Sequence, residues 1–423
     1  MPNNYRIPPQ GELTSLGVVK ETTPGVFPTM TGAIYHAAMA VKFDGKNVPV
    51  PRTGSRKRFG QTIPATGSYE STGSLEVEST VDTIGQLLAY ALGSQSTPST
   101  TIVNLALSAA TIIGATSFPV GTSLPVNIVP GMVINVDTST NMEPLTVANP
   151  AITSTAGVFS INTTAGATKA HSSAATIASP STTAYYTKMT LGLLPSFSAQ
   201  VFRVSDAVDY LGCMMESAAI TMNAKGGLDI KFGCANLGEA IDAAPATPAF
   251  SSKHPFVFEN PNNWQVLGGA MVGVPGSSIA VLSLSATLNN NLDKTYFSGS
   301  GGRSPFAFIQ QQRSLKGIIT LGFEDDSAYQ LFLGASAATS PKYPVAPTSF
   351  AWVCAGQDMI DSTNGVPYLA TFEFPNIFPE SDPVEIKATG MITQAFNFGA
   401  AESGNGNDDD LTVHYVGSNA AAF

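Results

Sequence analysis

One pattern occurs twice, and it limits what this chain can fold into. Residues 70–93 read ESTGSLEVESTVDTIGQLLAYALG, and residues 313–334 read RSLKGIITLGFEDDSAYQLFLG. Each copy has an alternating strand, then acidic or hydroxyl residues, then a short helical pattern that closes on Leu-Gly. In the first copy Leu75 and Val77 alternate with Ser74, Glu76 and Glu78, the period of a strand with one face in a core and one in water. Thr80 is placed to cap a helix in which Ile84, Leu87, Leu88 and Ala91 share a face, and Gly93 is placed to stop it. A repeated unit of this kind predicts two β lobes built on one plan.

The rest of the chain divides around these copies. Residues 1–64 are rich in Pro and Gly and read as an N-terminal arm with loops. Residues 65–99 and 183–245 form the first lobe, with PSFSAQVFRV as a strand and ESAAITMNAKGGLDIKFG as a hairpin turning at Gly226-Gly227. Between them, 100–182 is nearly free of charge and full of Thr, Val and Ile, bracketed by GSQSTPST and SPSTT. It reads as a small β module inserted at a tolerant surface site. Residues 246–423 form the second lobe and a C-terminal tail. There SIAVLSLSATLNNNLD echoes PSFSAQVFRVSD, and Asn364-Gly365 marks a hairpin between AWVCAGQDMI and YLATFEFP. The fold class is all-β: two duplicated lobes, each with a short flanking helix, plus the insert.

Nothing in the sequence forms a catalytic or metal constellation. The four histidines are scattered, and the three cysteines have no metal or disulfide-framework spacing. SGSGGRSP at 298–305 is Gly-rich but lacks the Lys and the helix of a phosphate loop, and reads as a hairpin tip. SGNGNDDDL at 403–411 resembles a single calcium-binding nonapeptide. Such turns work in stacks, so an acidic tail is the plainer account. No cofactor is expected. The N-terminus has no apolar signal core, and no apolar run approaches the roughly 18 residues that a membrane helix requires. The net charge of −10 argues against a grip on nucleic acid, which needs excess Lys and Arg.

Basic residues gather only in VKFDGKNVPVPRTGSRKRFG, at Lys42, Lys46, Arg52, Arg56, Lys57 and Arg58. Its Pro-rich, aromatic-poor context suits an arm docking on acidic patches of a neighbouring subunit better than a base-stacking platform. Nucleic-acid contact and simple solvated charge are the alternatives. Glu324-Asp325-Asp326 and Asp408-Asp409-Asp410 are acidic runs that could receive it.

Taken in order, GSLEVESTVDTIGQLLAYALG, PSFSAQVFRVSDAVDYLGCMMESAAITMNAKGGLDIKFGCANLG, SLSATLNNNLD, SLKGIITLGFEDDSAYQLFLG and FEFPNIFPESDPVEIKATGMITQAFNFGA resemble the tail tube (major tail) proteins of long-tailed bacteriophages. The resemblance covers residues 65–93 and 183–400. The insert is similar to small β modules displayed on phage structural proteins. The family implies a virion protein, assembled in the host cytoplasm and not an enzyme. Its subunits form stacked rings with β-sheets joined edge to edge around a channel through which double-stranded DNA passes without specific binding. Partners implied are further copies of the chain and the tape measure, tail terminator and distal tail proteins. A duplicated lobe implies a homotrimeric ring with pseudo-sixfold symmetry, the alternative being a homohexamer. On this resemblance the polar face of 73–79 lines the channel, through Glu76 and Glu78 with Asp229 on the neighbouring hairpin, and Arg56, Lys57 and Arg58 reach an adjacent ring. The second lobe offers Ser314, Lys316 and Thr320 where the first offers Glu76 and Glu78. The competing reading is a receptor-binding or adhesin-type protein whose insert binds carbohydrate.

Overall fold

The computed structural model describes residues 14–30, 32–50, 65–101, 105–122, 128–203, 207–223, 226–242, 247–257, 281–295, 304–322, 333, 339–341, 348–381, 384–385, 392–400 and 410–423. Among these residues the chain is almost entirely β. The first strands are β1 (Thr14–Lys20), β2 (Ile34–His36), β3 (Ala38–Val50) and β4 (Ala65–Glu78), followed by helix α1 (Ile84–Leu92) and β5 (Gly93–Gln95). Six strands belong to 105–178: β6 (Leu105–Ala106), β7 (Ser117–Gly121), β8 (Val133–Val136), β9 (Glu143–Thr155), β10 (Val158–Thr163) and β11 (Thr176–Ala178). Then come β12 (Tyr185–Leu191), β13 (Phe197–Arg203), β14 (Ala207–Asn223), β15 (Leu228–Ala235) and β16 (Gly238–Asp242). The last third holds β17 (Val281–Asn289), β18 (Leu292–Asp293), β19 (Ile309–Gln310), β20 (Ser314–Gly322), β21 (Thr348–Asp361), β22 (Val366–Ser381), β23 (Val384–Glu385), β24 (Thr393–Ala400) and β25 (Thr412–Gly417).

Pairing of these strands makes one long antiparallel sheet in the order β3, β4, β15, β14, β17, β20, β24, β22. Two further layers back it. One runs β2, β1, β13, first half of β14, β16. The other runs β21, first half of β22, β25, β12, β5. β14 and β22 are the long strands that pass from a backing layer into the main sheet. In β14 the change follows Gly212, at φ 61°, and a register shift between Met215 and Ser217. Only a glycine holds that left-handed conformation cheaply, and a bulge re-aims a strand. The core between the layers takes Leu75, Val77, Ile230, Phe232, Phe396 and Trp352, all buried.

Several expectations meet a different arrangement. Residues 1–64 are not only arm and loops: β1 lies between β13 and β2, and β3 is a full strand beside β4. Of the Pro and Gly that suggested loops, Gly45 and Pro49 fall within β3, which pairs with β4 along a sheet edge, a position that tolerates them. α1 is more than a one-faced flanking helix. All nine of its residues are buried, and Gln86 makes this possible by donating to the Val18 carbonyl and the Tyr90 hydroxyl. The helix begins after Thr83 rather than on a Thr80 side-chain cap; Thr80 contributes its carbonyl instead, to the Ile84 N–H. Gly93 ends it as expected, at φ 98°, where a Cβ would run into the Gly192 backbone. The matching helix of the second copy falls in 323–332 and lies outside the described residues. The turn at Asn364-Gly365 joins β21 to β22, with Gly365 at φ 66°. Finally, β17 does not stand where β13 stands. It precedes and flanks β20 as β3 precedes and flanks β4, so the echo of 278–293 is with 38–50.

Residues 105–178 form their own six-stranded sheet around Phe118, Ile134, Val136, Val147 and Ile161. Its core continues into Val353, Leu369 and Val416 of the backing layer, and Gly131 packs so closely there that a Cβ would lie 2.6 Å from Val353. Replacing 100–182 by a short Gly/Ser bridge is therefore expected to leave a folded chain that still makes rings, but at a cost. Uncovering Val353, Leu369 and Val416 forfeits about 1.5–3 kcal/mol each. Thermal melting should shift down and a hydrophobic dye should bind. Lobes that stay folded without forming rings would make the 105–178 sheet part of the subunit interface.

Candidate functional site: one polar sheet face

Because strand side chains alternate, the register of the main sheet fixes which residues share its two faces. Leu75 and Val77 look into the core, so Ser74, Glu76 and Glu78 look out. The next strand sets Asp229 opposite Glu78, Lys231 opposite Glu76 and Gly233 opposite Ser74. Continuing outward through β14 and β17, Thr221 faces Asp229 and Ser285 faces Thr221. Ile318 and then Asn397 complete that row on β20 and β24. The adjacent row runs Glu76, Lys231, Ala219, Thr287, Lys316 and Gly399. The result is one polar face that crosses both lobes without interruption at the β14–β17 seam.

The electrostatics differ from a simple acidic wall. Lys231 Nζ lies 3.0 Å from Glu76 Oε1, and this bond and charge raise the Lys231 ammonium pKa above its ordinary value. Lys316 Nζ lies 2.9 Å from Glu380 Oε1 of β22. Glu78 stands exposed directly opposite Asp229, an unfavourable like-charge pairing across a strand pair. Asp229 Oδ1 is buried and has no hydrogen-bond partner. These two rows, with Glu380, carry four carboxylates, Glu76, Glu78, Asp229 and Glu380, against two ammonium groups, Lys231 and Lys316; along β3 the same face adds Lys42 and Asp44, an ion pair, and Lys46 opposite Glu70. The unpaired negative charge sits in the Glu78–Asp229 row.

The three acidic residues singled out from sequence come together here on two adjacent strands. Lys231 joins them: it follows Asp229 by two residues and so shares its face, a signal already present in the sequence. Ser314, Lys316 and Thr320 all lie on the outward parity of β20, with Ile318 between the last two and 44% exposed. Arg56, Lys57 and Arg58 lie outside the described residues. Lys42 and Lys46 of the same basic cluster are exposed on β3, Lys42 with Asp44 at 3.5 Å. The 403–411 acidic segment lies outside them as far as residue 409.

Comparison with known families bears on this arrangement. The family model described as phage tail tube protein matches residues 11–400. No curated protein matches the chain.

Proposed function

The chain belongs to the phage tail tube protein family, and from that premise we propose that its polar sheet face lines the channel through which DNA leaves the virion. The chain is a structural subunit of a phage tail. The observation that carries the finer reading is the continuous sheet itself. It is apolar toward the core, polar on the other side, spans two similarly built lobes, and among the described residues is left open at both ends. Open strand edges are an aggregation hazard, and joining copies into a closed barrel removes them. The main sheet has eight strands, so three copies would close a barrel of about 24 strands, wider than the 16–18 strands that already leave porins an aqueous lumen. A homotrimer with pseudo-sixfold symmetry is accordingly the ring we infer, with a homohexamer as the alternative. Copies stack into a tube whose ends meet the tape measure, tail terminator and distal tail proteins.

A lining with paired charges and a small negative excess suits passage better than retention. Exposed Lys and Arg would release counterions and hold phosphates; Ser, Thr and Asn offer only neutral contacts, and the Glu78–Asp229 row repels weakly. Electron microscopy of the purified protein tests the reading. Rings or tubes with threefold-related subunits and a central lumen are expected. Isolated knobs or fibres would reject the tube and favour an adhesin.

A further inference from the structure

The seam between β14 and β17 joins two lobes within one chain, and the same seam is half-built at the two open ends of the sheet. β13 covers one side of β14 as far as Cys213, and β17 takes over that side from Ser217 to Asn223. β22 is laid out alike. β21 covers one side as far as Ile377 while β24 holds the other from Ile377 to Ser381. Among the described residues no strand continues along 378–381 where β21 leaves off. At the far end β3, which occupies in its lobe the place of β17, pairs with β4 on one side and, among the described residues, with no strand on the other.

Equivalent residues set the register. Ile230-Lys231-Phe232-Gly233 of β15 and Phe396-Asn397-Phe398-Gly399 of β24 end on the same Phe-Gly, and each strand pairs with the long strand of its lobe just past the point where that strand changes layer. Phe232 is opposite Ala218 of β14, and Phe398 is opposite Pro379 of β22, so Pro379 corresponds to Ala218. Cys234 and Ala400 then correspond. Through Gly73 and Leu315 they lead to Phe43 of β3 and Leu288 of β17. Within the chain Ala218 pairs with Leu288, and Ser217 with Asn289.

We propose that β22 of one copy pairs antiparallel with β3 of the next in the register of the internal seam, setting Pro379 opposite Phe43 and Phe378 opposite Asp44. This rests on the tube reading above and specifies its subunit joint. Both edges carry apolar side chains left exposed in the single chain, Met39 at 66% and Phe378 at 38%. Parity agrees as well: Asp44 and Phe378 both stand on the polar face, Asp44 opposite Thr72 and Phe378 opposite Gly399. The ring then contains the same joint at every lobe boundary, within chains and between them.

Cysteine cross-linking of assembled full-length protein tests the register. Directly opposite residues on paired strands have Cβ atoms about 4.5–5.5 Å apart, near disulfide reach, whereas a shift by two residues takes them to about 7–8 Å. Asp44 and Phe378 lie at opposite ends of one chain's sheet, so a bond between them must join copies. The native cysteines are buried, and burial pushes the Cys234 thiol up to about 12, which keeps them out of the reaction. Oxidised rings of D44C/F378C should run as covalent multimers on denaturing gels, and K42C/F378C rings should stay as single chains. Linking by K42C/F378C instead, or by neither pair in rings seen by microscopy, overturns the register and leaves the tube reading standing. If the parent chain forms no rings, the tube reading fails and this joint with it.

Discussion

Changing Glu76 and Glu78 together to Lys should leave tubes assembling normally but slow DNA ejection by tenfold or more at low salt. Both side chains lie on the outward face of β4, so the substitution touches neither the core nor the sheet's hydrogen bonds. Its effect is on charge. Glu76 offsets Lys231 at 3.0 Å, so reversal at position 76 creates two adjacent ammonium groups where there was an ion pair. Reversal at 78 turns the like-charged Glu78–Asp229 pair into an attractive one. The face changes by four positive units per copy, and every ring of the tube repeats the change. Each phosphate neutralised lowers the logarithm of affinity by roughly 0.9 per tenfold rise in salt. Slowing should therefore fade as salt rises and the Debye length falls below about 10 Å. The control is E76Q/E78Q, which frees Lys231 but shifts the face by two positive units per copy instead of four, and should slow ejection less. Ejection at parental rate by the Lys variant, with no salt dependence, would remove Glu76 and Glu78 from the channel wall.

What the sequence made legible was local. The alternation of Leu75 and Val77 with Glu76 and Glu78 announces a half-buried strand because the side-chain period of a strand is two. Gly93 and Gly365 announce their turns because few other residues hold positive φ without strain. What stayed hidden depends on partners distant in the chain. Lys231 could be placed on the face of Asp229, but not beside Glu76, because β4 and β15 are separated along the chain by the whole 105–178 sheet. α1 reads as one-sided from its own residues, whereas layers on several sides bury all of it and Gln86 finds partners on β1 and on its own next turn. The β17 echo is ambiguous in sequence for the same reason: apolar alternation is common to β13 and β3, and only pairing with β20 decides between them.

Replacing Arg56, Lys57 and Arg58 by Ser should yield single rings or short stacks under conditions where the parent makes long tubes. The three residues lie in 51–64, which connects β3 to β4 beyond the Val50–Ala65 pair. That end of the sheet is the one at which β20 begins, since Ser74 shares its row with Gly233, Ser217, Asn289 and Ser314. The chain leaves β20 at Gly322, at the opposite end, immediately before Glu324-Asp325-Asp326. The other acidic run, Asp408-Asp409-Asp410, precedes β25, whose Thr412 pairs with Thr190. The strand of Thr190 leads into Gly192, bonded by Arg313 at the start of β20. β25 therefore begins at the same end of the fold as the Val50–Ala65 pair. Rings that stack head to tail bring opposite ends together, so the acidic run after β20 is the expected receptor. Complementary charge at such a joint supplies steering and register more than raw affinity, and it is screened by salt. Long tubes of the parent should accordingly shorten as salt rises. Converting Glu324, Asp325 and Asp326 to their amides should copy the triple Ser phenotype, whereas amides at Asp408, Asp409 and Asp410 should not. Full-length tubes from the triple Ser variant, or stacking indifferent to salt, would return the basic cluster to ordinary solvated charge. The reverse pattern in the two amide variants would mean that rings meet through like ends.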